Sequence, residues 1–406
     1  MASSLIGSRV ERKEDKKFLT GKGRYTADIN LANQTYAYFV RSPHARATIS
    51  KVDISKASKA PGVVRILTGN DLAKDKIGGL IAGWKIVSQD GTDMKCPPHP
   101  PLASNTVNFV GDHVAVVIAE TLDQAKDAAE KVRVDYKVLK AVVNTGDAMN
   151  SKAIHDGIDK NLCYDFLLGD KGKTDEAFSK ADKVVKLDLV NNRLIPNAME
   201  PRAAIGDYNP SSEELTLYTA NQNPHLTRLV LSAFCAIQAE HKFRVVAPDV
   251  GGGFGSKNSM YVEQALVIWA AKMLGRPVKW IGSRSDAFIT DYHGRDNATH
   301  AELALDKEGN FLGLLVDETA NLGAYISGRG AMSPVNNQPA LAGTYKTPAI
   351  HVRVRGMFTN TVPTDVYRGA GRPEAIYLLE RLIDKAADQL KIDRIELRRR
   401  NIIPPN

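Results

Sequence analysis

The sequence has few cysteines and no metal-binding cysteine or histidine motif. Its three cysteines, Cys96, Cys163 and Cys235, are far apart, and none belongs to a C-x-x-C pair. This pattern excludes a disulfide framework and an encoded iron–sulfur or zinc site, and it indicates reduced thiols. The sequence also shows no H-E-x-x-H motif and no Ser–His–Asp set, so no common hydrolase chemistry is indicated.

Long apolar runs are also missing. The first residues contain no apolar segment of signal-peptide length, and no later segment approaches the roughly 18–20 apolar residues of a membrane span. We therefore expect a cytoplasmic protein without a membrane span.

The charge pattern gives little support for nucleic-acid binding. The net charge of +8 comes from Lys and Arg spread along the chain, with the densest cluster at Arg394–Arg400. The cluster fits a solvated helix face, a docking site for an acidic partner or a contact for an anionic cofactor. We expect no nucleic-acid partner.

A chain of 406 residues suggests two to three domains of mixed α and β structure. We predict a first domain over 1–143, a polar linker over 144–161 and a second domain over 162–406. The apolar patterns predict strands at Gln34–Val40, Val63–Leu67, Val114–Ala119, Val184–Val190, Leu215–Thr219, Arg244–Ala247, Val278–Ile281, Thr299–Leu305, Phe311–Glu318 and His351–Met357. They predict helices at Asp53–Ala60, Thr121–Val132, Thr174–Ala181, His225–Ala236, Asn258–Leu274 and Glu374–Leu390, and a long loop at Leu72–Thr106.

The segment APDVGGGFGSK, Ala247–Lys257, has a composition that an ordinary core does not explain. Glycine occupies four of the five positions from Gly251 to Gly255, which implies unusual dihedral angles or a group pressed against the main chain. With a helix predicted to follow at Asn258, the free N–H groups of the helix start suit an oxyanion or oxo ligand. The alternative is a tight strand–helix crossover.

Neither common phosphate motif fits this loop. In a P-loop, G-x-x-x-x-G-K-[ST], glycine precedes the lysine and Ser or Thr follows it, whereas Ser256 and Asn258 flank Lys257. The dinucleotide motif G-x-G-x-x-G fails because Ser256 stands where its last glycine belongs.

Two other segments carry groups suited to ligand binding. VYRGAGRPEA, Val366–Ala375, places Arg368 beside Gly369, and arginines next to exposed backbone suit planar or anionic ligands. TANQNPH follows a predicted strand, and its Gln222 can donate or accept hydrogen bonds. Taken alone, the first has a helix-capping turn with surface arginines as its alternative, and the second is most often an ordinary loop.

Acid–base candidates are scarce. Glu200 in NAMEPR and His44 in RSPHAR lie near turns, where single carboxylates and histidines are more often structural than catalytic.

Several motifs, in order, resemble the molybdenum-binding large subunits of the xanthine dehydrogenase, aldehyde oxidase and carbon monoxide dehydrogenase family. They are GSRVERKEDKKFLTGKGRYTADI, SPHARA, VGDHVAVVIAET, DAAEKVRVDY, NAMEPR, TANQNPH, VGGGFGSK and VYRGAGRPEA. The resemblance covers essentially the whole chain. It implies an α+β fold: an a/b hammerhead domain followed by the first part of a molybdopterin-binding domain.

The resemblance also implies site residues. The apical oxo ligand of molybdenum would be held by Gln222 and by backbone N–H groups of the glycine loop, Gly252, Gly253, Phe254 and Gly255. Arg368 would lie beside the substrate and stabilise negative charge that develops there. The catalytic residues are then Gln222 and Arg368, and no protein side chain would ligate the metal.

Cofactors and partners follow from the same resemblance. The cofactor would be molybdopterin with molybdenum, in its cytosine dinucleotide form, and the reaction an oxidative hydroxylation whose electrons leave through iron–sulfur clusters and FAD. These centres would belong to a small and a medium subunit in a dimer of heterotrimers. The family subunit is nearly twice as long, and its second half supplies the base glutamate. We therefore expect a split subunit or a truncated product that requires a C-terminal polypeptide for activity.

Two positions differ from particular family members. Copper-dependent carbon monoxide dehydrogenases have a cysteine after the loop arginine, where this sequence has Gly369, so copper-dependent CO oxidation is disfavoured. The purine enzymes have a glutamate at the position of Asn258. We expect an aldehyde, an N-heterocycle or a related small molecule as substrate. The alternatives are a carbon monoxide dehydrogenase-like subunit and a catalytically empty scaffold or assembly protein.

Overall fold

The protein is described by a computed structural model over residues 6–233, 235–336 and 338–405. The strands are β1 (Thr35–Arg41), β2 (Ala47–Asp53), β3 (Val63–Thr68), β4 (Thr106–Val107), β5 (His113–Ala119), β6 (Arg133–Val138), β7 (Leu162–Gly169), β8 (Lys183–Asn191), β9 (Ala203–Asn209), β10 (Glu214–Thr219), β11 (Phe243–Val246), β12 (Val278–Ile281), β13 (Asn297–Leu305), β14 (Phe311–Gly323) and β15 (Ile350–Phe358).

The α-helices are α1 (Asp15–Leu19), α2 (Gly69–Lys74), α3 (Leu122–Ala129), α4 (Thr145–Ala148), α5 (Lys171–Ser179), α6 (Pro224–Ala233), α7 (Val262–Leu274), α8 (Arg284–Thr290), α9 (Met332–Asn336), α10 (Arg372–Leu390) and α11 (Arg394–Asn401). Short 3₁₀ turns lie at Thr26–Asp28, Ala57–Lys59, Asp159–Asn161, Glu240–Lys242 and Gln338–Ala342.

The strands form three sheets, and the largest joins distant parts of the chain. Its order is β11-β10-β9-β12-β1-β5-β3, so that β1 pairs in parallel with β12 at Thr35 and Val278. The other sheets have the orders β7-β15-β14-β13-β8 and β4-β2-β6. The first 143 residues therefore share a sheet with strands from beyond residue 200.

Helices α7 and α10 cover the two larger sheets and contribute many of the buried core residues. Helix α7 is apolar on nearly all sides and packs so closely on β9 that a side chain at Gly206 would lie 2.5 Å from the carbonyl of Val267. Helix α10 buries one face, including Leu382 and Ile383, against the five-stranded sheet. Because β10 and β11 pair in parallel, the segments that follow them emerge at the same edge of the large sheet.

Two predicted helices are wrong in extent. Asp53–Ala60 contains the end of β2 and one 3₁₀ turn, because its alanines and serines form no continuous apolar face. Asn258–Leu274 begins only at Val262, since Asn258 and Ser259 lie in turns that precede the helix cap, Tyr261.

The segment 144–161 contains α4 and contributes Ala148, Ile154 and Ile158 to the core around the five-stranded sheet. The boundaries at 143 and 162 stay a prediction.

The arginine cluster forms α11 and pairs with carboxylates of α10. Arg398 contacts Glu380 and Asp384 at 2.7 and 2.9 Å, and Arg394 contacts Asp388 at 3.0 Å. These intramolecular pairs favour a solvated helix face over an external binding site.

Within the described ranges, none of the helices has the length and apolar character needed to cross a bilayer. The cysteines are free thiols; Cys163 and Cys235 are buried and Cys96 is exposed.

Candidate active site

Three segments that are distant in sequence meet at the edge of the large sheet. The backbone N–H of Gly255 donates to Gln222 Oε1 at 3.0 Å, and the N–H of Arg368 donates to the carbonyl of Phe254 at 2.9 Å. The structure thus brings together Gln222, the glycine loop (Gly251–Gly255) and the arginine loop (Val366–Ala370). They line a pocket of about 340 Å³.

Close approach explains two of the glycines. A Cβ at Gly253 would lie 2.4 Å from Gln222 Oε1, and a Cβ at Gly255 would lie 2.3 Å from the carbonyl oxygen of Val366. Gly255 also has a φ of 106°, which side-chain-bearing residues rarely adopt. A side chain at Gly255 would therefore separate the glycine loop from the arginine loop, and one at Gly253 would displace Gln222.

Both loops also hold non-glycine residues in the left-handed region. Phe254 has a φ of 53° and Ala370 a φ of 49°. Such conformations cost free energy and persist only where the surroundings enforce them, which is common at binding sites. Phe254 is 39% exposed, so the strained residue presents its ring at the pocket rather than in the core.

The glycine loop has backbone donors available for a ligand. In the part of the chain that the structure describes, the N–H groups of Gly253 and Phe254 have no protein acceptor within hydrogen-bond distance. Gln222 uses its Oε1 to accept from Gly255, which leaves its Nε2 to donate. A cradle of close-packed N–H donors suits an oxo or other anionic group. The residues present therefore fit the oxo ligand of a molybdenum cofactor.

These donors do not belong to a helix start. Helix α7 begins only at Val262, well after Gly255. The predicted role of the helix dipole is wrong, because turns at residues 254–259 separate the loop from the helix. The local N–H groups of the loop remain as the source of positive potential.

Arg368 is the exposed cation of the pocket. Its backbone is anchored, but among the described residues its guanidinium has no carboxylate partner. Arg372, the second arginine of the VYRGAGRPEA segment, is also exposed, and its Nη1 lies 3.5 Å from the carbonyl of Gly369. Arg368 is therefore free to contact a ligand.

A buried ion pair between Glu200, the acid–base candidate of the NAMEPR segment, and Lys257 supports the glycine loop. Lys257 Nζ lies 2.8 Å from Glu200 Oε2 and 2.9 Å from the Glu200 carbonyl. The N–H of Gly251 donates to the same carboxylate at 2.8 Å. Burial lowers the pKa of Lys257, and Glu200 opposes that effect. Glu200 therefore holds the glycine loop in place. The spacing of residues in the sequence does not show that the NAMEPR segment lies beside this loop.

His44 lies elsewhere. Its ring packs edge-on against Tyr136 at 5.0 Å, and it does not line the pocket. The described residues contain no group of three or more His, Cys, Asp or Glu side chains arranged to hold a metal ion.

Comparison with known proteins identifies two domains. Residues 154–402 match the molybdopterin cofactor-binding domain, and residues 20–140 match the a/b hammerhead domain of aldehyde oxidase and xanthine dehydrogenase. These matches confirm the predicted α+β fold class.

Individual relatives extend over nearly all of this chain. It is 32% identical to the nicotine 6-hydroxylase large subunit of Paenarthrobacter nicotinovorans and 34% identical to the carbon monoxide dehydrogenase large chain of Hydrogenophaga pseudoflava. The alignments cover 98% and 99% of this chain and 48% and 51% of those proteins. The crystal structure of quinoline 2-oxidoreductase from Pseudomonas putida 86 superposes with a TM-score of 0.91 at 34% identity, over 98% of this chain and 50% of that one.

The chain thus spans about half the length of the relatives it matches. The domain matches, the relatives and the convergence of the three loops agree with the resemblance found in the sequence. The chain belongs to the family of molybdopterin-binding large subunits that includes xanthine dehydrogenases, aldehyde oxidases and carbon monoxide dehydrogenases.

Proposed function

We propose that this chain forms the cofactor-facing part of a molybdenum hydroxylase that oxidises an aldehyde, an N-heterocycle or a related small molecule. The observation that carries the proposal is the convergence of Gln222, the glycine loop and Arg368 on one pocket. When bound, the molybdopterin cofactor supplies the two-electron oxidation chemistry that no protein side chain provides. We propose the cytosine dinucleotide form of the cofactor.

The residues of the chain have distinct tasks in this proposal. Gln222 Nε2 and the N–H groups of Gly253 and Phe254 would donate hydrogen bonds to the oxo group of a bound cofactor, and glycine at positions 252 and 255 would let the backbone approach it. These donors are fixed before the cofactor binds, so little reorganisation is needed. Arg368 orients the substrate and stabilises negative charge that develops on it.

Further polypeptides complete the proposed enzyme. A C-terminal half or second polypeptide supplies the base and much of the pterin contact, and small and medium subunits carry the iron–sulfur clusters and FAD in a dimer of heterotrimers. The isolated thiols support this division, since cluster binding requires grouped cysteines. A cytoplasmic location is part of the proposal.

Copper-dependent CO oxidation is the less favoured alternative. The similarity to a carbon monoxide dehydrogenase chain raises it. However, the position that would carry a copper-binding thiolate is Gly369, where φ is 98° and a Cβ would lie 2.4 Å from Pro373 Cδ. A side chain at this position would be strained, so a thiolate site here is disfavoured.

Elemental analysis of the native complex tests the proposal. We expect stoichiometric molybdenum, no copper and extra subunits in the mass profile. Gly253→Ala should lose molybdenum because its Cβ would collide with Gln222, whereas Gly146→Ala should retain it, since the nearest atom to that Cβ is 3.5 Å away. A native complex without molybdenum would support an empty scaffold of the same fold instead.

A further inference from the structure

We infer that Arg295 is a positioning residue that holds the arginine loop, and with it the Arg368 side chain, in place beside the pocket. The inference rests on the proposed function, because it explains how the substrate-facing arginine is aimed.

Arg295 contacts the loop through its backbone carbonyls. Its Nη2 donates to the carbonyl of Arg368 at 2.8 Å, and its Nη1 donates to the carbonyl of Tyr367 at 3.3 Å. The guanidinium carbon also lies 4.8 Å from the centre of the Tyr367 ring. One side chain thus fixes two successive peptide groups and an aromatic ring.

Glu374, in the first turn of α10, anchors the guanidinium. Its Oε1 accepts from Arg295 Nη1 at 2.9 Å, and the two side chains are only 7% and 4% exposed. Burial raises the pKa of Glu374, and the charge of Arg295 opposes this. The other oxygen, Oε2, is buried without a hydrogen-bond partner in the described structure. The carboxylate therefore depends on Arg295 for its neutralisation.

The geometry requires arginine rather than a generic cation. Three acceptors, the carbonyls of Tyr367 and Arg368 and the carboxylate of Glu374, lie around one planar group. A guanidinium presents five donors in a fixed fork, whereas a lysine ammonium is a compact charge that cannot span these acceptors in the same way.

The backbone at Arg295 is strained in a way that fits this role. Arg295 and Asp296 have φ values of 64° and 75°, both in the left-handed region. Paired hydrogen bonds between Gly294 and Leu194, at 2.8 and 3.2 Å, and the 2.6 Å contact from Arg193 to Asp296 hold them there. Such enforced strain is frequent where a side chain must point in one direction.

The clamp, which consists of Arg295 and its contacts with Glu374 and the arginine loop, connects the arginine loop to the glycine loop. The peptide between Tyr367 and Arg368 is trans, so its carbonyl and N–H point in opposite directions. The carbonyl accepts from Arg295, and the N–H donates to Phe254 at 2.9 Å. This peptide is therefore hydrogen-bonded on both sides, which fixes Arg368 relative to the N–H donors of the glycine loop.

Hydrogen exchange on the full 406-residue chain, without added cofactor, tests the clamp directly. Arg295→Lys should speed exchange in the peptide spanning the arginine loop by roughly tenfold or more, since both carbonyls lose a charged donor. Glu374→Gln should speed it by a smaller factor and serves if the first variant does not fold.

The matched control is Arg353→Lys, because Arg353 also forks onto a carboxylate, Asp165, at 2.9 and 2.7 Å, but on the outer face of the five-stranded sheet. It should leave the loop peptide unchanged. Unaltered exchange in the loop of both Arg295→Lys and Glu374→Gln would overturn the inference.

Kinetics of the native molybdenum-containing complex provide a second readout. Arg295→Lys should lower kcat about tenfold, and Arg368→Lys should cost less in that background than in the wild type, because the two residues act as a unit. Additive losses would overturn the coupling. A wild-type complex without molybdenum would refute the proposed function instead, while the exchange experiment would still decide whether the clamp exists.

Discussion

At the scale of single residues, Gln222 illustrates how a side chain is oriented by its acceptor end. Its Oε1 accepts from Gly255 at 3.0 Å, and its backbone N–H donates to the carbonyl of Lys257 at 2.9 Å. The Nε2 is the end that remains to donate. The side chain is exposed, so its contacts contribute little to the stability of the folded state.

Gln222→Ala should therefore impair turnover with little loss of folding. We expect kcat of the assembled complex to fall by roughly 10²-fold, as for removal of one preorganised donor, and the free energy of unfolding to fall by less than about 1 kcal/mol. Steady-state kinetics, molybdenum content and thermal unfolding measure the three quantities.

Gln124→Ala is the matched control, because Gln124 Oε1 also accepts from a backbone N–H, that of Thr121, but at the cap of α3. It should have a similar small effect on stability and none on turnover. Unchanged activity of Gln222→Ala in the assembled complex would contradict the assigned role.

At the scale of elements, the sequence predicted the segments of the site better than their supports. Strand β12 and helix α10 follow from apolar periodicity, and the glycine loop follows from composition. The Glu200–Lys257 pair joins residues 57 positions apart, and Arg295 contacts residues 72 to 79 positions away. Their pairing depends on tertiary approach, which local patterns do not encode.

The start of α7 shows the same limit. Apolar residues at Met260–Val262 continue a helical pattern, but Tyr261 instead caps the helix and its hydroxyl donates to the carbonyl of Ser256 at 2.8 Å. Arg202 lies 3.7 Å from the centre of the Tyr261 ring. A tertiary contact therefore decides where this helix begins.

Glu263, in the first turn of α7, is the centre of a buried charge network. It contacts Arg202 at 2.7 Å, Arg41 of β1 at 3.2 Å and His113 of β5 at 3.1 Å. Burial alone would raise the pKa of Glu263, but Arg202 and His113 more than offset it and hold the pKa well below its ordinary value. The network joins β1, β5 and the residue that precedes β9 to the helix that follows the glycine loop.

Glu263→Gln should destabilise the protein by about 3–5 kcal/mol, because it leaves buried cations without their shared carboxylate. The midpoint of chemical denaturation measures the change. Glu176→Gln, which removes a fully exposed helical pair with Lys180, should lower stability far less, because solvent screens such pairs. Equal losses in the two variants would show that the network does not stabilise the fold.

At the scale of the whole molecule, the large sheet makes the two matched domains interdependent. Strands β1, β5 and β3 lie within the hammerhead match, and β9–β12 lie within the cofactor-domain match. The sequence predicted several of these strands but not their order, because parallel pairing of Thr35 with Val278 leaves no local pattern. The site therefore lies at the edge of a sheet that both domains build.

A buried histidine is expected to make the stability of the fold sensitive to acid. His99, in the long segment between α2 and β4, stacks on Tyr325 with ring centres 4.1 Å apart and is 5% exposed. Burial, with a smaller contribution from His113, lowers the pKa of His99 to about 3. Between pH 6.5 and 3 the unfolded state binds a proton at this histidine and the folded state does not, so protonation favours unfolding. Above pH 6.5 neither state binds the proton, and the fold has its full stability.

As pH falls from 6.5 towards 3, the free energy of unfolding should decrease by up to about 1.4 kcal/mol per pH unit on account of His99. His99→Phe keeps a flat ring against Tyr325 and should flatten the slope over that interval. Tyr325→Phe, which loses only the hydroxyl contact with Asn108, should lower stability equally at each pH and keep the slope. Denaturation curves at successive pH values measure both, and an unchanged slope in His99→Phe would assign the acid sensitivity to other buried groups.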